Sequence, residues 1–235
     1  MKYQNVYSAI LDAVSLRKKL LAILVDPDKF DLDRVPEFLR NLPPRTTHIF
    51  VGGSSVPFGL TEKVVEAMKL YTAKPIVLFP GDVSQITAAA DALLFLTLFS
   101  GDNPEYLVGQ QVKAVKILRP LDLEVIPTGY LLIDGGIHSA VAAVTKTRPI
   151  PQEEVRRIVD TSVAARLSGK KLIYLEAGSG ARNMVKPEII SEVKKEINLP
   201  LIVGGGIRTE EQLEAAYNAG ADMVVMGTAF EKTQE

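Results

Sequence analysis

Residues 201–230, LIVGGGIRTEEQLEAAYNAGADMVVMGTAF, restrict the possible folds more than any other part of this chain. Leu201 to Val203 form an apolar run that enters Gly204-Gly205-Gly206, and Thr209 with Gln212 then supplies the T-x-x-Q of a capping box. Strand, glycine turn and helix follow in that order. The helix presents Leu213, Ala216 and Tyr217 on one face and stops at Gly220, after which residues 221–226 read as a second buried strand ending in Gly227-Thr228. Two neighbouring strands thus end in glycines, where the backbone can approach a ligand and free N–H groups suit a phosphate. A lone GGG would more simply be a turn. Its place at the C-terminal end of a chain of barrel length points instead to the phosphate site built after strands seven and eight of a (β/α)8 TIM barrel.

The whole chain is compatible with that reading. Its 235 residues suit one barrel domain spanning 1–235, and no linker divides them. A formal net charge of −1 argues against a nucleic-acid-binding surface. With no cysteine, disulfides, thiolate metal sites and a cysteine nucleophile are excluded. The first twenty residues lack the apolar core of a signal peptide and no apolar run is long enough to span a bilayer, which predicts a cytoplasmic protein.

Taken in order, Tyr3, Val6, Tyr7, Ile10, Ala13 and Val14 fall on one helical face and predict an extra N-terminal helix across the bottom of the barrel. Strands are predicted over residues 21–25, 48–51, 75–79, 92–98, 124–133 and 172–175, with the fifth interrupted at Pro127-Thr128-Gly129. Helices are predicted from Asp31 or Asp33 through Leu39, and over residues 61–71, 103–118, 151–167 and 187–197. Only residues 83–90 separate the third and fourth strands, too few for a helix packed along a strand. The third helix is therefore expected to be degenerate, with an opening beside the apolar fourth strand. Residues 134–149 show turn signals and no period, and predict a mobile loop over the mouth.

In a barrel every strand exit lies on one face, which gathers Asp26, Ser54, Tyr130, Tyr174, Glu176 and the glycines at 178, 180, 205, 206 and 227. Asp26 and Ser54 leave adjacent strands. A single carboxylate with one hydroxyl suits a magnesium ion that takes its other ligands from water and substrate phosphates; equally, Asp26 can cap the Pro27 turn and Ser54 the helix beyond. Glu176 ends an apolar strand before a glycine turn, where it can accept a proton from a hydroxyl or serve as a salt-bridged rim residue. His48 and His138 are isolated and form no metal cluster; His48 reads as a core or rim histidine.

The chain resembles the geranylgeranylglyceryl phosphate synthases and the related heptaprenylglyceryl phosphate synthases over nearly its full length. The resemblance rests on LVDPDK at 24–29, VGGSS at 51–55, FPGD at 79–82, IPTGYLLIDGG at 126–136, YLEAGSGA at 174–181, VGGGI at 203–207 and MGTA at 226–229. Glycine turns are shared by many phosphate-binding barrels; YLEAGSG together with DPDK and GGS is more specific. The family implies transfer of a long prenyl chain, geranylgeranyl in the first case, from its diphosphate to the 3-hydroxyl of sn-glycerol 1-phosphate, giving an ether-lipid precursor. By that resemblance Asp26 and Ser54 hold Mg2+ against the diphosphate, and Glu176 orients or deprotonates the hydroxyl. Tyr174, Leu175, Glu176, Ala177, Gly178, Ser179 and Gly180, with Gly205, Gly206, Gly227 and Thr228, bind glycerol phosphate. The tail is expected near the missing helix, with Phe79, Leu93, Phe95, Phe99 and Tyr130 as lining, although strand alternation must turn some of these elsewhere. A homo-oligomer and peripheral contact with a membrane are also implied.

Two other readings stay open at this point. One is a phosphate-binding barrel isomerase or lyase, which would keep the glycine turns but normally want paired acidic groups or a lysine at the strand ends. The other is a catalytically silent metabolite-binding barrel, which has no chemical reason to keep Asp26, Ser54 and Glu176 together. Fold alone does not separate them.

Overall fold

The structure, a computed structural model, describes residues 5–227. Eight parallel strands close into a barrel in sequence order: β1 (Leu20–Val25), β2 (Thr46–Val51), β3 (Ile76–Leu78), β4 (Ala92–Leu98), β5 (Glu124–Leu132), β6 (Leu172–Glu176), β7 (Leu201–Gly204) and β8 (Met223–Met226). Alternation along each strand sorts side chains into two layers. Leu20 and Ala22 of β1 turn inward with Phe50, Leu94, Tyr130, Tyr174 and Met223. Leu21, Ile23 and Val25 turn outward and pack under the helices.

Helix α1 (Val6–Ser15) joins the inner layer through Val6, Ile10 and Ala13, so it closes the barrel from below. Asn5 supplies no side-chain cap there. Instead the N–H groups of Val6 and Tyr7 donate to the carboxylate of Glu124, the first residue of β5, at 2.6 and 3.1 Å. A negative group at the positive end of the helix fixes this plug to the barrel floor. Tyr3, which the sequence places on the same face, lies outside the described residues.

The outer ring comprises α2 (Val35–Arg40), α3 (Leu60–Lys69), α4 (Gln110–Leu118), α5 (Ala140–Thr145), α6 (Val155–Leu167), α7 (Pro187–Glu196) and α8 (Glu210–Ala219). Between β3 and β4 there is only a 3-10 turn, Val83–Gln85, so the degenerate third position is observed. Asp82 caps this turn by accepting from the Ser84 N–H at 2.7 Å. The predicted capping box at Thr209 and Gln212 is present, as is the left-handed Gly220 stop.

Three expectations are corrected and a fourth is refined. β5 is continuous through Pro127-Thr128-Gly129, because Pro127 faces the chain just before β6 begins, so its missing N–H costs no ladder bond, while its carbonyl accepts from the Lys171 N–H at 2.8 Å. Residues 134–149 are not all loop. They contain α5, capped by Ser139, whose hydroxyl accepts from the Ala142 N–H; six residues are too few to show a helical period. The helix expected from Pro151 begins only at Val155. Gln152 is drawn aside, its amide donating to the carbonyls of Asp134 and Met184 and accepting from the Lys186 N–H. The helix expected over residues 103–118 is present but opens with a π turn, Glu105–Gly109, and just beyond that turn the Gln111 amide donates to the carbonyls of Leu96 and Tyr106.

Candidate active site

Because all strands are parallel, their exits share one face, and a cavity of about 580 Å3 occupies it. Asp26, Ser54, Phe79, Tyr130, Tyr174, Glu176, Ser179, Gly180, Gly205, Gly206 and Gly227 all line it. Asp26 and Glu176, on opposite sides of the barrel, open into the same space.

Glu176 ends β6 with its side chain turned inward, and it is only 5% exposed. One carboxylate oxygen accepts from the Gly178 N–H at 2.7 Å. No cation among the described residues pairs with it, which removes the salt-bridged rim reading. Burial pushes its pKa up from 4.5 to about 7, while the neighbouring Tyr174 phenol and the Gly178 N–H pull the other way. Tyr174 lies beside the carboxylate without meeting hydrogen-bond geometry, and its oxygen, like that of Tyr130, has no partner. Both phenols are held un-ionised by burial and by the nearby carboxylate. Phe79 stacks on Tyr174 with centroids 5.1 Å apart, and Tyr130 meets Tyr174 edge-on at 5.4 Å. The floor below Glu176 is thus an aromatic surface carrying two unpaired hydroxyls.

The turn after β7 wraps closely around this carboxylate. Gly205 has φ +81°, and a Cβ there would lie 2.4 Å from Glu176 Oε1 and 2.6 Å from the Gly178 nitrogen. Only glycine fits. The N–H groups of Gly180, Gly205 and Gly206 make no hydrogen bond among the described residues, and all three line the cavity. Beside them stands Arg208, whose guanidinium donates to the carbonyls of Gly180 and Ala181. Unpaired donors and an anchored cation make this a pocket for a small dianion.

On the far side, Asp26 is partly exposed. One oxygen accepts from the Asp28 N–H at 3.2 Å, and the other pairs with Lys29 at 2.9 Å. It therefore caps the Pro27 turn, as one of the two sequence readings anticipated, and faces the cavity as well. Ser54, Ser55, Asp28 and Lys29 border the same corner.

Leu24, Ile86, Leu93, Leu94, Phe95, Leu96 and Leu98, with Ala114 of α4 and Val141 and Val144 of α5, make the remaining wall apolar. This lining mixes the inner face of β4 with its outer face and with the short crossover. The cavity therefore runs from the mouth out through the gap left by the missing helix.

Several expected site residues are not brought to the cavity. Leu175 and Ala177 point outward into the helical layer, and the Ala177 N–H is committed to the Gly204 carbonyl at 3.0 Å. Gly178 contributes through its bond to Glu176 and not as lining. Phe99 lies on the outer side under the Lys170 ammonium, 5.7 Å from the ring centroid. Thr228 is outside the described residues. His48 is buried, within 2.8 Å of the Thr47 hydroxyl and away from the cavity; burial and Lys74 lower its pKa to about 4, so it is neutral. Conversely, the sequence reading passed over Arg208, although a cation immediately after GGGI was a usable signal. It also passed over Gln85, which lies in the short crossover and carries no motif.

Similarity to known proteins agrees with this geometry. A geranylgeranylglyceryl phosphate synthase of Zunongwangia profunda is 54% identical over 227 residues, covering 97% of each chain. One from Flavobacterium johnsoniae is 48% identical over 228 residues, covering 97% of this chain and 94% of its own. The crystal structure of (S)-3-O-geranylgeranylglyceryl phosphate synthase from Thermoplasma acidophilum in complex with substrate sn-glycerol-1-phosphate superposes with a TM-score of 0.89 at 35% identity, covering 97% of this chain and 92% of that one. The model of the PcrB family matches residues 14–235, and the chain belongs to that family.

Proposed function

We propose that this protein is a prenyltransferase that joins a long allylic diphosphate, geranylgeranyl diphosphate in the first instance, to the 3-hydroxyl of sn-glycerol 1-phosphate. The observation that carries the reading is Glu176. It is a buried carboxylate with a pKa near 7, between a dianion pocket and an apolar furrow, and it opens into the same space as Asp26. The likeness to relatives bearing the synthase name supports the choice of substrates.

The dianion pocket of Gly180, Gly205, Gly206 and Arg208 takes the phosphate of the acceptor and leaves its far hydroxyl near Glu176. As the allylic C1–O bond breaks, its electron pair leaves with the diphosphate. The acceptor oxygen forms the new C–O bond to C1, and its proton passes to the Glu176 carboxylate. The hydrocarbon lies along Leu93, Leu94, Phe95 and Leu96, where each buried methylene contributes about 0.8 kcal/mol. Apolar walls along the furrow limit the access of water to the carbon centre.

Asp26 and Ser54 fit a magnesium ion carried in by a diphosphate. Among the described residues no group of three or more His, Asp or Glu can form a full metal cage, and a magnesium ion needs few protein ligands when phosphate and water supply the rest. When bound, the ion supplies Lewis-acid stabilisation of the departing diphosphate.

The test is incubation with each glycerol phosphate enantiomer and a ladder of prenyl diphosphates, with mass detection of the ether. We expect product from sn-glycerol 1-phosphate and a long prenyl diphosphate. Absence of ether from every pairing, with or without magnesium, would overturn the reading.

A further inference from the structure

Glycines 52 and 53 pass through a tight space at the exit of β2. A Cβ on Gly53 would lie 2.4 Å from Asp26 Oδ1, and one on Gly81 would lie 2.4 Å from the Gly53 carbonyl oxygen and 3.0 Å from Ser54 Cα. The segment carrying Ser54 is thus sandwiched between the Asp26 carboxylate and the turn after β3. Close packing alone fixes its position but not the rotation of its peptide planes. Gln85 settles the rotation. Its side-chain oxygen accepts from the Gly53 N–H at 3.2 Å, and its side-chain nitrogen donates to the Gly53 carbonyl at 2.7 Å. Gln85 is 2% exposed and spends its amide on this one residue. The turn that bears it is itself fastened: Asp82 caps it, and the Val83 N–H donates to the Gln110 side chain of α4 at 3.2 Å. Gln85 itself does not line the cavity, whereas Gly52, Gly53, Ser54 and Ser55 do.

We propose that Gln85 is a positioning residue for the diphosphate subsite: by clamping the N–H and the C=O of Gly53, which belong to the two peptide planes on either side of its Cα, it orients the Gly53–Ser54 backbone and the Ser54 hydroxyl toward the leaving group. This rests on the proposed transferase reading. In other parallel barrels a full helix between the third and fourth strands would cover this region; here the shortened crossover brings a side-chain amide from the turn instead. The amide offers a donor and an acceptor in the fork that one residue's C=O and N–H require, and neither a carboxylate nor an aliphatic chain reproduces both. Each lost bond leaves a part-buried peptide group unsatisfied, which destabilises the oriented conformation rather than the barrel as a whole.

Calorimetric binding of inorganic pyrophosphate, with and without magnesium, to wild type, Gln85→Glu and Gln85→Leu is the direct test. Binding of sn-glycerol 1-phosphate and the thermal midpoint serve as references for the rest of the site. Both variants should fold and bind glycerol phosphate as wild type does, while pyrophosphate affinity falls at least about fivefold in each: Gln85→Leu loses both bonds, and Gln85→Glu sets a carboxylate against the Gly53 carbonyl. In turnover, KM for the prenyl diphosphate should rise while KM for the acceptor stays unchanged. Unchanged pyrophosphate affinity in either folded variant overturns the proposal, and so does an equal loss of both ligands, which would mark Gln85 as merely structural. A wild-type protein that binds no pyrophosphate and makes no ether would instead sink the functional reading on which this rests.

Discussion

Replacing Glu176 by Gln should make the protein more stable at pH 8 and nearly inactive. In the folded chain burial holds this carboxyl at about 7 against an ordinary 4.5. Between those values the folded protein retains a proton that the unfolded chain has released, so stability falls as pH rises through the window. Below pH 4.5 the cost is absent. Above about 7 it is complete, and at 1.36 kcal/mol per unit it amounts to about 3 kcal/mol. Glutamine removes the charge while preserving the contacts. Its oxygen can still accept from the Gly178 N–H, and its amide nitrogen can donate to the Tyr174 oxygen, which has no partner in the native protein.

For a chain of this length, 3 kcal/mol corresponds to a rise of roughly 6–12 °C in the thermal midpoint at pH 8. Near pH 5 most of the difference should vanish. Calorimetric or denaturant unfolding of both proteins at the two pH values reads the effect directly, and ether formation by the same samples should fall by ~100-fold or more. A variant no more stable than wild type at pH 8, or a gain of equal size at pH 5, would refute the argument that an uncompensated buried charge sits at this position. On the proposed reading, the stability sacrificed at neutral pH is what leaves a base poised there, a trade expected of a functional site.

Three further outcomes follow from the same geometry. The kcat/KM of the wild type for the acceptor should rise with pH through about 7 and level off, because the base must be ionised; a flat profile from about pH 5.5 to 8.5 would count against Glu176 as proton acceptor. Gly205→Ala should destabilise the fold by about 2 kcal/mol or more and abolish acceptor binding, since its φ of +81° and the 2.4 Å approach to Glu176 leave no room for a methyl group; wild-type unfolding and binding would contradict the assigned packing. Asp26→Asn should raise the magnesium concentration needed for half-maximal turnover by ~10-fold or more, and an unaltered magnesium titration would remove Asp26 as a ligand.

What could be read from the amino-acid sequence was local in origin. The capping box at Thr209, the Gly220 stop and the strand exits at Asp26 and Gly205 each depend on a few adjacent residues, and each stands where the pattern placed it. Strand alternation was legible as a constraint but not in phase at the strand ends. Leu98 and Tyr130 turn into the barrel, whereas Phe99, one residue beyond β4, ends on the outer face beneath Lys170. The contacts that give the site its chemistry are of another kind. Arg208 reaches the backbone of Gly180 and Ala181, and Gln85 that of Gly53, across about thirty residues of chain. A side chain that bonds to a distant peptide leaves no periodic trace, and the partner's identity is invisible because the partner is backbone. The elevated pKa of Glu176 was anticipated in direction only, since its size depends on burial among side chains that include Tyr130 of β5 and Phe79 at the exit of β3.

The missing third helix links these observations. A helix packed against β3 and β4 would cover the partly exposed Phe95 and close the barrel wall on that side. The short crossover leaves room there, and the cavity extends into it between Ile86 and Ala114. Shortening the connection has a second effect: it brings Gln85 close enough to the β2 exit to clamp Gly53, which a helix starting along the strand would carry away. One deletion from the barrel plan thereby creates an apolar furrow for a hydrocarbon and steadies the polar corner where that hydrocarbon's diphosphate would sit. On the proposed reading, the two ends of an amphipathic substrate are therefore served by the same local departure from the regular fold.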